Sequence, residues 1–214
     1  MTAERVTAAA PLRRVPAQAR SRRRVERILD QAAQLVVTRG VDALTTRDIA
    51  AAAEVPVASL YQYFSDKEDV LLALAARDME EMDEQVAADL AALEEVTVRD
   101  VVRTAMLAFV KVYHRRRAFV EIYLRGRTNV AVHRFGRDHN ARIAETLRAF
   151  ALEHGLATQA LTETIALFAI EIGDRVFQLA FEHDDEGDQV ILEEGIAMMT
   201  AYLERFAIPQ DRGR

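Results

Sequence analysis

The sequence predicts an all-α protein with a small three-helix head near its N-terminal end and a larger helical body behind it. Apolar residues recur along the chain at intervals of three and four, which is the period of amphipathic helices. Eight glycines and four prolines in 214 residues are a composition that favours helices. Residues 45–67 also have the outline of two short helices joined by a tight turn.

The chain is expected to begin with a flexible basic arm over residues 1–19, where alanine, arginine and two prolines follow no period. Such an arm suits the phosphates or the minor groove of DNA. The first helix is predicted over residues 21–38, because apolar residues recur at helical spacing there and Gly40 follows as a stop. Its basic start is placed to touch the DNA backbone and consists of Arg22, Arg23 and Arg24.

The two helices of the turn motif are defined by a cap and a proline. Thr45 or Thr46 accepts a hydrogen bond from a free backbone N–H and begins the first of them. Pro56 lacks a backbone N–H and ends this helix near residue 53 or 54. The second helix is predicted over residues 57–64. Its apolar anchors are Leu60 and Phe64, and the side chains expected to look outward are Ser59, Tyr61, Gln62 and Tyr63.

An outward face of hydroxyls, phenols and one amide suits the major groove of DNA. Gln62 is suited to a base edge and the hydroxyls to phosphates. The alternative is a small helical hairpin whose tyrosines belong partly to the core. The two hypotheses differ in the exposure that they predict for the tyrosines.

This region resembles the DNA-binding segment of the tetracycline-repressor (TetR) family of bacterial regulators. The resemblance is carried by TTRDIA at residues 45–50, VPVASLYQYF at residues 55–64, and the Lys-Glu pair at residues 67–68. It implies a DNA-binding domain over residues 20–66. By motif position it makes Thr46, Arg47, Ser59, Tyr61, Tyr63 and Lys67 phosphate contacts, and Val57, Ala58 and Gln62 base contacts.

One residue departs from the family pattern. The turn between the two helices usually holds glycine, whereas this chain has Glu54. A left-handed conformation at a non-glycine residue costs roughly 1–2 kcal/mol.

The charge of the chain is divided unevenly. Residues 1–24 hold seven arginines against Glu4, a net charge of +6, so the other 190 residues must carry −12 to give the total of −6. A basic end and an acidic body are typical of a protein that binds a polyanion at one end.

The next helix is expected to connect the head to the body. Ser65 or Asp66 caps it, and Glu68 and Asp69 suit the positive end of its dipole. Because one helix spans both parts, a tilt at one end is felt at the other, and it is the expected transmission element; a plain structural helix fits the same spacing. Its apolar stripe consists of Leu71, Leu74, Met82, Val86, Leu90 and Leu93.

The body, residues 67–208, contains further helices, and residues 209–214 are expected to form a tail. Residues 97–100 resemble a capping box before an amphipathic helix that runs towards three arginines at 115–117. These arginines fit a solvated helix end better than a second nucleic-acid patch. A further helix is predicted over residues 129–153, stopped by Gly155.

The last two helices are unusually apolar, which indicates a subunit interface. Paired with its symmetry mate, this helix hairpin forms a four-helix bundle of a homodimer, as the resemblance also implies; a monomer with a thick core is the alternative. The residues expected in the interface are Ile165, Ile172, Val176, Ile191, Met199 and Tyr202.

The body also carries enough aromatic surface for an effector pocket. Aromatic residues at helical spacing are core more often than ligand site, and it is the resemblance that implies a small, often lipophilic, effector in this region. Glu171 and Arg175 either contact it or pair with each other. The expected pocket residues are Phe109, Tyr113, Phe119, Tyr123, Phe135, His139, Phe168, Glu171 and Arg175.

The sequence gives little support for an enzymatic function. The chain has no cysteine, no phosphate-binding loop and no metal-binding histidine pair, because His133 and His139 lie six apart on different helix faces. Neither a catalytic residue nor a cofactor is expected. No apolar run approaches the length of a membrane span and no secretory signal begins the chain, so the expected compartment is the cytoplasm and no membrane partner is expected.

The sequence therefore predicts a homodimeric regulator, most simply a repressor, that binds a palindromic double-stranded DNA operator and is released by a small-molecule effector. The alternative is a DNA-binding adaptor controlled by a protein partner. A fully packed body without a cavity favours the adaptor.

Overall fold

A computed structural model describes residues 19–94, 96–126 and 129–209 of the chain. Over these ranges the protein is helical, and the only β contact there is an isolated antiparallel bridge between Ala157 and Ala207. The expected basic arm, apart from residue 19, and residues 210–214 of the expected tail lie outside the described residues. The helices in chain order are α1 (Ala19–Arg39), α2 (Thr46–Ala52), α3 (Val57–Leu60), α4 (Lys67–Ala91), α5 (Val98–Arg115), α6 (Arg117–Phe119), α7 (Val130–Glu153), α8 (Glu163–Ala180) and α9 (Gln189–Leu203).

Helix α1 begins and ends within two residues of its predicted bounds. Gly40 ends it with φ +78°, a conformation that a side chain would strain, and its N–H bonds to the carbonyl of Val36. The buried stripe packs against α2 and α4 and consists of Val25, Ile28, Leu29, Ala32, Leu35 and Val36.

Helix α2 ends in a Schellman turn. Thr45 caps its start by accepting a hydrogen bond from the N–H of Asp48. At its end the N–H of Val55 reaches the carbonyl of Ala50, and the N–H of Glu54 that of Ala51. Glu54 is left-handed, with φ +52°, so the residue that replaces the family's glycine adopts the conformation for which glycine is suited.

Helix α3 is shorter than predicted, and this corrects the orientation of one side chain. Its α-helical part ends at Leu60, after which the N–H groups of Tyr63 and Phe64 both bond to the Leu60 carbonyl. This tighter winding turns Tyr63 into the core, where its side chain is 4% exposed. The prediction that Tyr63 looks outward is therefore wrong, whereas Tyr61 is 42% exposed as expected.

Helix α4 spans the head and the body. Asp66 caps it by accepting a hydrogen bond from the N–H of Asp69. Its first turns share a core with α1 through Val70, Leu71 and Leu74. Its later turns bury Val86 and Leu90 against α5.

The chain turns sharply after α5. Thr97 and Asp100 form the predicted capping box at the start of α5. Beyond its end, α6 leads into a π-helical turn at Val120–Leu124. The arginines at this junction are ion-paired rather than merely solvated, because Arg115 and Arg116 both bind Glu81 of α4 and Arg117 binds Glu186.

Helices α7, α8 and α9 complete the body. Helix α8 packs against both α7 and α9, and Gly195 of α9 lets Val176 approach closely. Gly155, with φ +66°, follows the end of α7 as predicted. No helix in the described ranges is long and apolar enough to cross a membrane.

Candidate nucleic-acid interface and body cavity

Helices α2 and α3 present the predicted polar surface. The hydroxyls of Thr46 and Tyr61 lie 3.1 Å apart, so a hydrogen bond ties the start of α2 to the residue that follows α3. Arg47, Ala58, Tyr61 and Gln62 are exposed, while Thr46, Val57, Ser59 and Lys67 are half-buried. Tyr63 is not part of this surface, because its side chain lies in the core.

Basic side chains of the head also lie at the starts of α1 and α4. Arg22 and Arg23 are exposed near the start of α1 and Arg24 is half-buried. Lys67 begins α4, where backbone N–H groups and the helix dipole also favour an anion. Acids also lie among these groups: Asp66, Glu68 and Asp69 surround Lys67 at the start of α4. Asp48 accepts a hydrogen bond from the Thr45 hydroxyl and lies 3.8 Å from Arg39.

A charged cluster fastens the head to the body at α4. Arg77 donates hydrogen bonds to Glu26 and Asp30 of α1, at 3.2 and 2.8 Å. The next residue, Asp78, is 1% exposed, and its carboxylate lies 3.5 Å from the Arg77 Nε and 3.6 Å from the Arg116 Nε. Burial raises the pKa of Asp78 to about 6, against the opposing effect of the two arginines.

The body contains an apolar cavity of about 110 Å³. Its walls come from α4, α5, α7, α8 and α9 and from the α6 region. Five of the nine expected pocket residues line it, namely Phe109, Tyr113, Phe119, Tyr123 and His139. Lining residues that the sequence did not single out as pocket include Met79, Met82, Met106, Asn140 and Phe177.

Polar groups gather along one part of this wall. Asp174 of α8 accepts hydrogen bonds from the Tyr123 hydroxyl at 3.3 Å and from the Gln178 amide at 2.9 Å. Burial, and then the nearby Glu171, raise the pKa of Asp174 to about 6. The signal for Asp174 was in the sequence, since an ionisable residue in an apolar helix needs a partner.

Four expected pocket residues do not line the cavity. Phe168 is 53% exposed and stacks edge-on against Tyr202, with ring centroids 5.9 Å apart. Phe135 lies under the Arg142 guanidinium. Glu171 accepts a hydrogen bond from Asn140 and Arg175 donates one to Gln178, so these two residues do not form the expected pair.

The last two helices expose an apolar face that differs in part from the expected interface. Ile165, Ile172, Ile191 and Tyr202 are half-buried, as interface residues of a free subunit are. Val176 and Met199 are 7% exposed because they fill the contact between α8 and α9. The more exposed apolar side chains, from 40 to 71%, are Phe168, Leu179, Val190 and Met198.

A short helix presented by a Schellman turn, with exposed polar groups on it and exposed arginines on α1, is typical of a helix-turn-helix DNA-binding protein. Two family models match the chain: bacterial regulatory proteins of the tetR family over residues 28–74, and the tetracyclin repressor-like C-terminal domain over residues 97–203. The chain therefore belongs to the TetR family and is a DNA-binding transcriptional regulator rather than an enzyme.

Solved structures of the same family are similar over nearly their whole length. A TetR-family transcriptional regulator from Streptomyces coelicolor is 30% identical, with 86% of this chain and 99% of the other covered and a TM-score of 0.65. A second, from Pectobacterium atrosepticum, is 20% identical, with 91% and 99% covered and a TM-score of 0.71. A search of the curated proteins finds no match.

Proposed function

We propose that the protein is a homodimeric repressor that binds a palindromic operator and releases it when a small lipophilic molecule fills the body cavity. The DNA-binding head comprises residues 20–66, and the effector and dimerisation body residues 67–208. The observation that carries this proposal is the cavity itself, because it lies against α4, the helix whose first residue, Lys67, stands at the DNA-binding surface. A packed body would have favoured the adaptor alternative.

In the head we assign two kinds of DNA contact. Gln62 reads base edges with Val57 and Ala58, whereas the phosphates are bound by the remaining polar groups. These are Arg22, Arg23, Arg24, Thr46, Arg47, Ser59, Tyr61 and Lys67. The ring of Tyr63 lies in the core. We therefore infer that Tyr63 supports α3 and does not make the phosphate contact that its motif position implies.

The coupling runs along α4. Met79 and Met82 of α4 line the cavity, and Arg77 on the same helix is bonded to two acids of α1. A ligand that wedges the cavity open therefore moves α4 relative to α1 and changes the spacing of the two heads. The ligand needs only to favour one spacing, and a coupling of about 1–3 kcal/mol changes operator affinity about 5–150-fold.

Two substitutions separate the proposed DNA contacts. We expect Lys67→Ala to weaken binding to all duplexes and to reduce the salt dependence of binding by about one phosphate contact. Gln62→Ala should instead lower the preference for operator over random duplex. If both variants bound the two duplexes as the unaltered protein does, the assigned contacts would be wrong.

The operator is found by incubating the purified protein with genomic fragments, recovering the bound fragments and sequencing them. A palindromic site with half-sites one helical turn apart, or a multiple of it, supports paired heads. A site without symmetry contradicts the dimer. Release is tested on that operator with small molecules related to the products of the neighbouring genes.

A further inference from the structure

We propose that the body cavity binds a lipophilic organic cation, an ammonium group attached to an apolar body, with the charge held between Asp174 and a row of aromatic rings. The inference rests on the proposed function only in taking the cavity as the ligand site. It adds the chemical class of the ligand, and it holds for binding whether or not that binding releases DNA.

The aromatic rings form a continuous row along the cavity. Phe109 and Phe177 lie 5.6 Å apart between centroids, Tyr113 and Phe177 5.2 Å, Tyr113 and Phe119 5.8 Å, and Phe119 and Tyr123 5.2 Å. All five residues line the cavity. Ring faces attract cations, and sites that recognise quaternary ammonium groups are built from such rings.

The charge at the end of this row is negative. Both hydrogen-bond donors to Asp174 among the described residues, Tyr123 and Gln178, are neutral, and no arginine or lysine of the described chain lies within ion-pair distance of its carboxylate. Glu171 adds a second carboxylate, again bonded to a neutral donor, Asn140. A largely desolvated carboxylate that has no arginine or lysine beside it gains from a ligand that supplies a positive charge.

A second polar group in the cavity wall is the Tyr113 hydroxyl. Tyr113 is 2% exposed and lines the cavity, yet its hydroxyl makes no hydrogen bond within the described residues. The hydroxyl is close enough to Asp174 for that charge to contribute, after burial, to raising the pKa of Tyr113. The hydroxyl can accept a hydrogen bond from a protonated amine placed beside Asp174.

The other charged groups do not cancel this preference. Arg148 lines the cavity, but its Nε donates to the Leu161 carbonyl at 2.7 Å. It also lies eight residues beyond Asn140 on α7, about 12 Å along the helix. His133 faces the site from α7, with one ring nitrogen bonded to the Gly126 carbonyl at 2.6 Å. Its charge lowers the pKa of Asp174, but less than burial and Glu171 raise it. The part of the cavity next to Asp174 therefore favours cations over anions.

The test compares three probes that differ mainly in charge: benzyltrimethylammonium, its neutral isostere neopentylbenzene, and the anion phenylacetate. Binding to the full-length protein is measured by calorimetry, with thermal unfolding as a check of the fold. We expect the cation to bind at least about tenfold more tightly than the other two, as for interactions with a charged group.

The same measurements on Asp174→Asn, which keeps the shape of the side chain, should lower cation affinity about tenfold or more and leave the neutral isostere unchanged. Glu163→Gln is the matched control, because it removes a carboxylate from the exposed first turn of the same helix and should change neither affinity. Equal binding of cation and isostere, an unchanged cation affinity in Asp174→Asn, or no binding of the cation would overturn the inference.

The outcomes also separate this inference from the proposed function. If the cation binds through Asp174 but leaves operator affinity unchanged, the assigned ligand class is supported, and the proposal that cavity binding releases DNA is contradicted. If the neutral isostere binds most tightly and releases DNA, the proposal that cavity binding releases DNA is supported, and the assignment of a cationic ligand is contradicted.

Discussion

Glu54 is the residue at which the turn motif strains the backbone. Its φ of +52° is left-handed, and nothing in the Schellman hydrogen bonds requires a carboxylate there. The turn holds because the two backbone bonds and the burial of Val55 and Ala53 on either side fix its shape.

Glu54→Gly should raise the free energy of unfolding by about 0.5–1 kcal/mol. The relief of roughly 1–2 kcal/mol of left-handed strain exceeds the added flexibility of the unfolded chain. Urea unfolding measures the difference. Glu54→Ala is the control, since it keeps the strain; an equal gain there would mean that the carboxylate, not the backbone, is the cause.

Asp78 is a second residue whose environment lowers the stability of the folded protein. Its pKa is raised to about 6 by burial, so the ionised form is penalised in the folded protein. The penalty is present above pH 6 and is relieved as the pH falls through 6 towards the pKa of an unfolded aspartate near 4, because the folded state takes up its proton first.

Asp78→Asn should therefore stabilise the protein by about 1–3 kcal/mol at pH 8, and the gain should shrink between pH 6 and pH 4. The arginines keep other partners, since Arg77 binds Glu26 and Asp30 while Arg116 binds Glu81. Chemical unfolding at several pH values measures the gain. Glu80→Gln, an exposed change on the same helix, should stay within about 0.5 kcal/mol throughout. A gain that did not depend on pH would contradict the assignment.

At the scale of elements, the α8–α9 contact depends on a missing side chain. A Cβ at Gly195 would lie 2.5 Å from the Val176 Cγ1 and 3.2 Å from its Cβ. A β-branched valine cannot swing away, so the helices would have to separate.

Gly195→Ala should accordingly destabilise the protein by about 1–3 kcal/mol, in spite of the better helix propensity of alanine. Gly173→Ala is the matched control on the facing helix. Its Cβ would meet only the flexible thioether of Met199 at 3.3 Å, so we expect a neutral or stabilising effect. Thermal unfolding of both variants measures the two effects. Equal effects would show that the contact between the added Cβ and Val176 is not the cause of the destabilisation.

At the scale of the whole molecule, the exposed face of α8 and α9 belongs with the dimerisation that we propose. Ile165, Phe168, Ile172 and Leu179 follow helical spacing along one side of α8, and Tyr202 of α9 contacts Phe168. Two copies of this face related by a two-fold axis would bury it and fix the spacing of the two heads.

Phe168→Glu should convert the dimer, about twice 24.0 kDa, into a monomer, weakening association at least about 30-fold. Each interface would bury two unpaired carboxylates, one from each subunit. Light scattering across a concentration series measures the change, and operator affinity should fall with it. Val37→Glu alters an exposed apolar residue of α1, 53% exposed, and should leave the mass unchanged. A dimer that survived Phe168→Glu would place the interface elsewhere.

The sequence by itself determined the long helices, several of their caps and the turn motif. Periodicity defined α1 and α7 within two residues, and Thr45, Asp66 and Thr97 were readable as caps because capping depends on local chemistry. The left-handed residue was implied by the resemblance, because the turn of the family usually holds glycine where this chain has Glu54. These features arise within a few residues of chain.

Only the tertiary structure decided which side chains meet across the fold. Tyr63 lies in the core because α3 tightens after Leu60, and Phe168 lies on the outer surface because α8 turns its other side towards α7 and the cavity. Asp78 and Asp174 become unusual only where distant helices remove water from them. Helical periodicity shows which residues share a face of a helix, but not which other helix covers that face. The covering helix is determined by how the helices pack against one another.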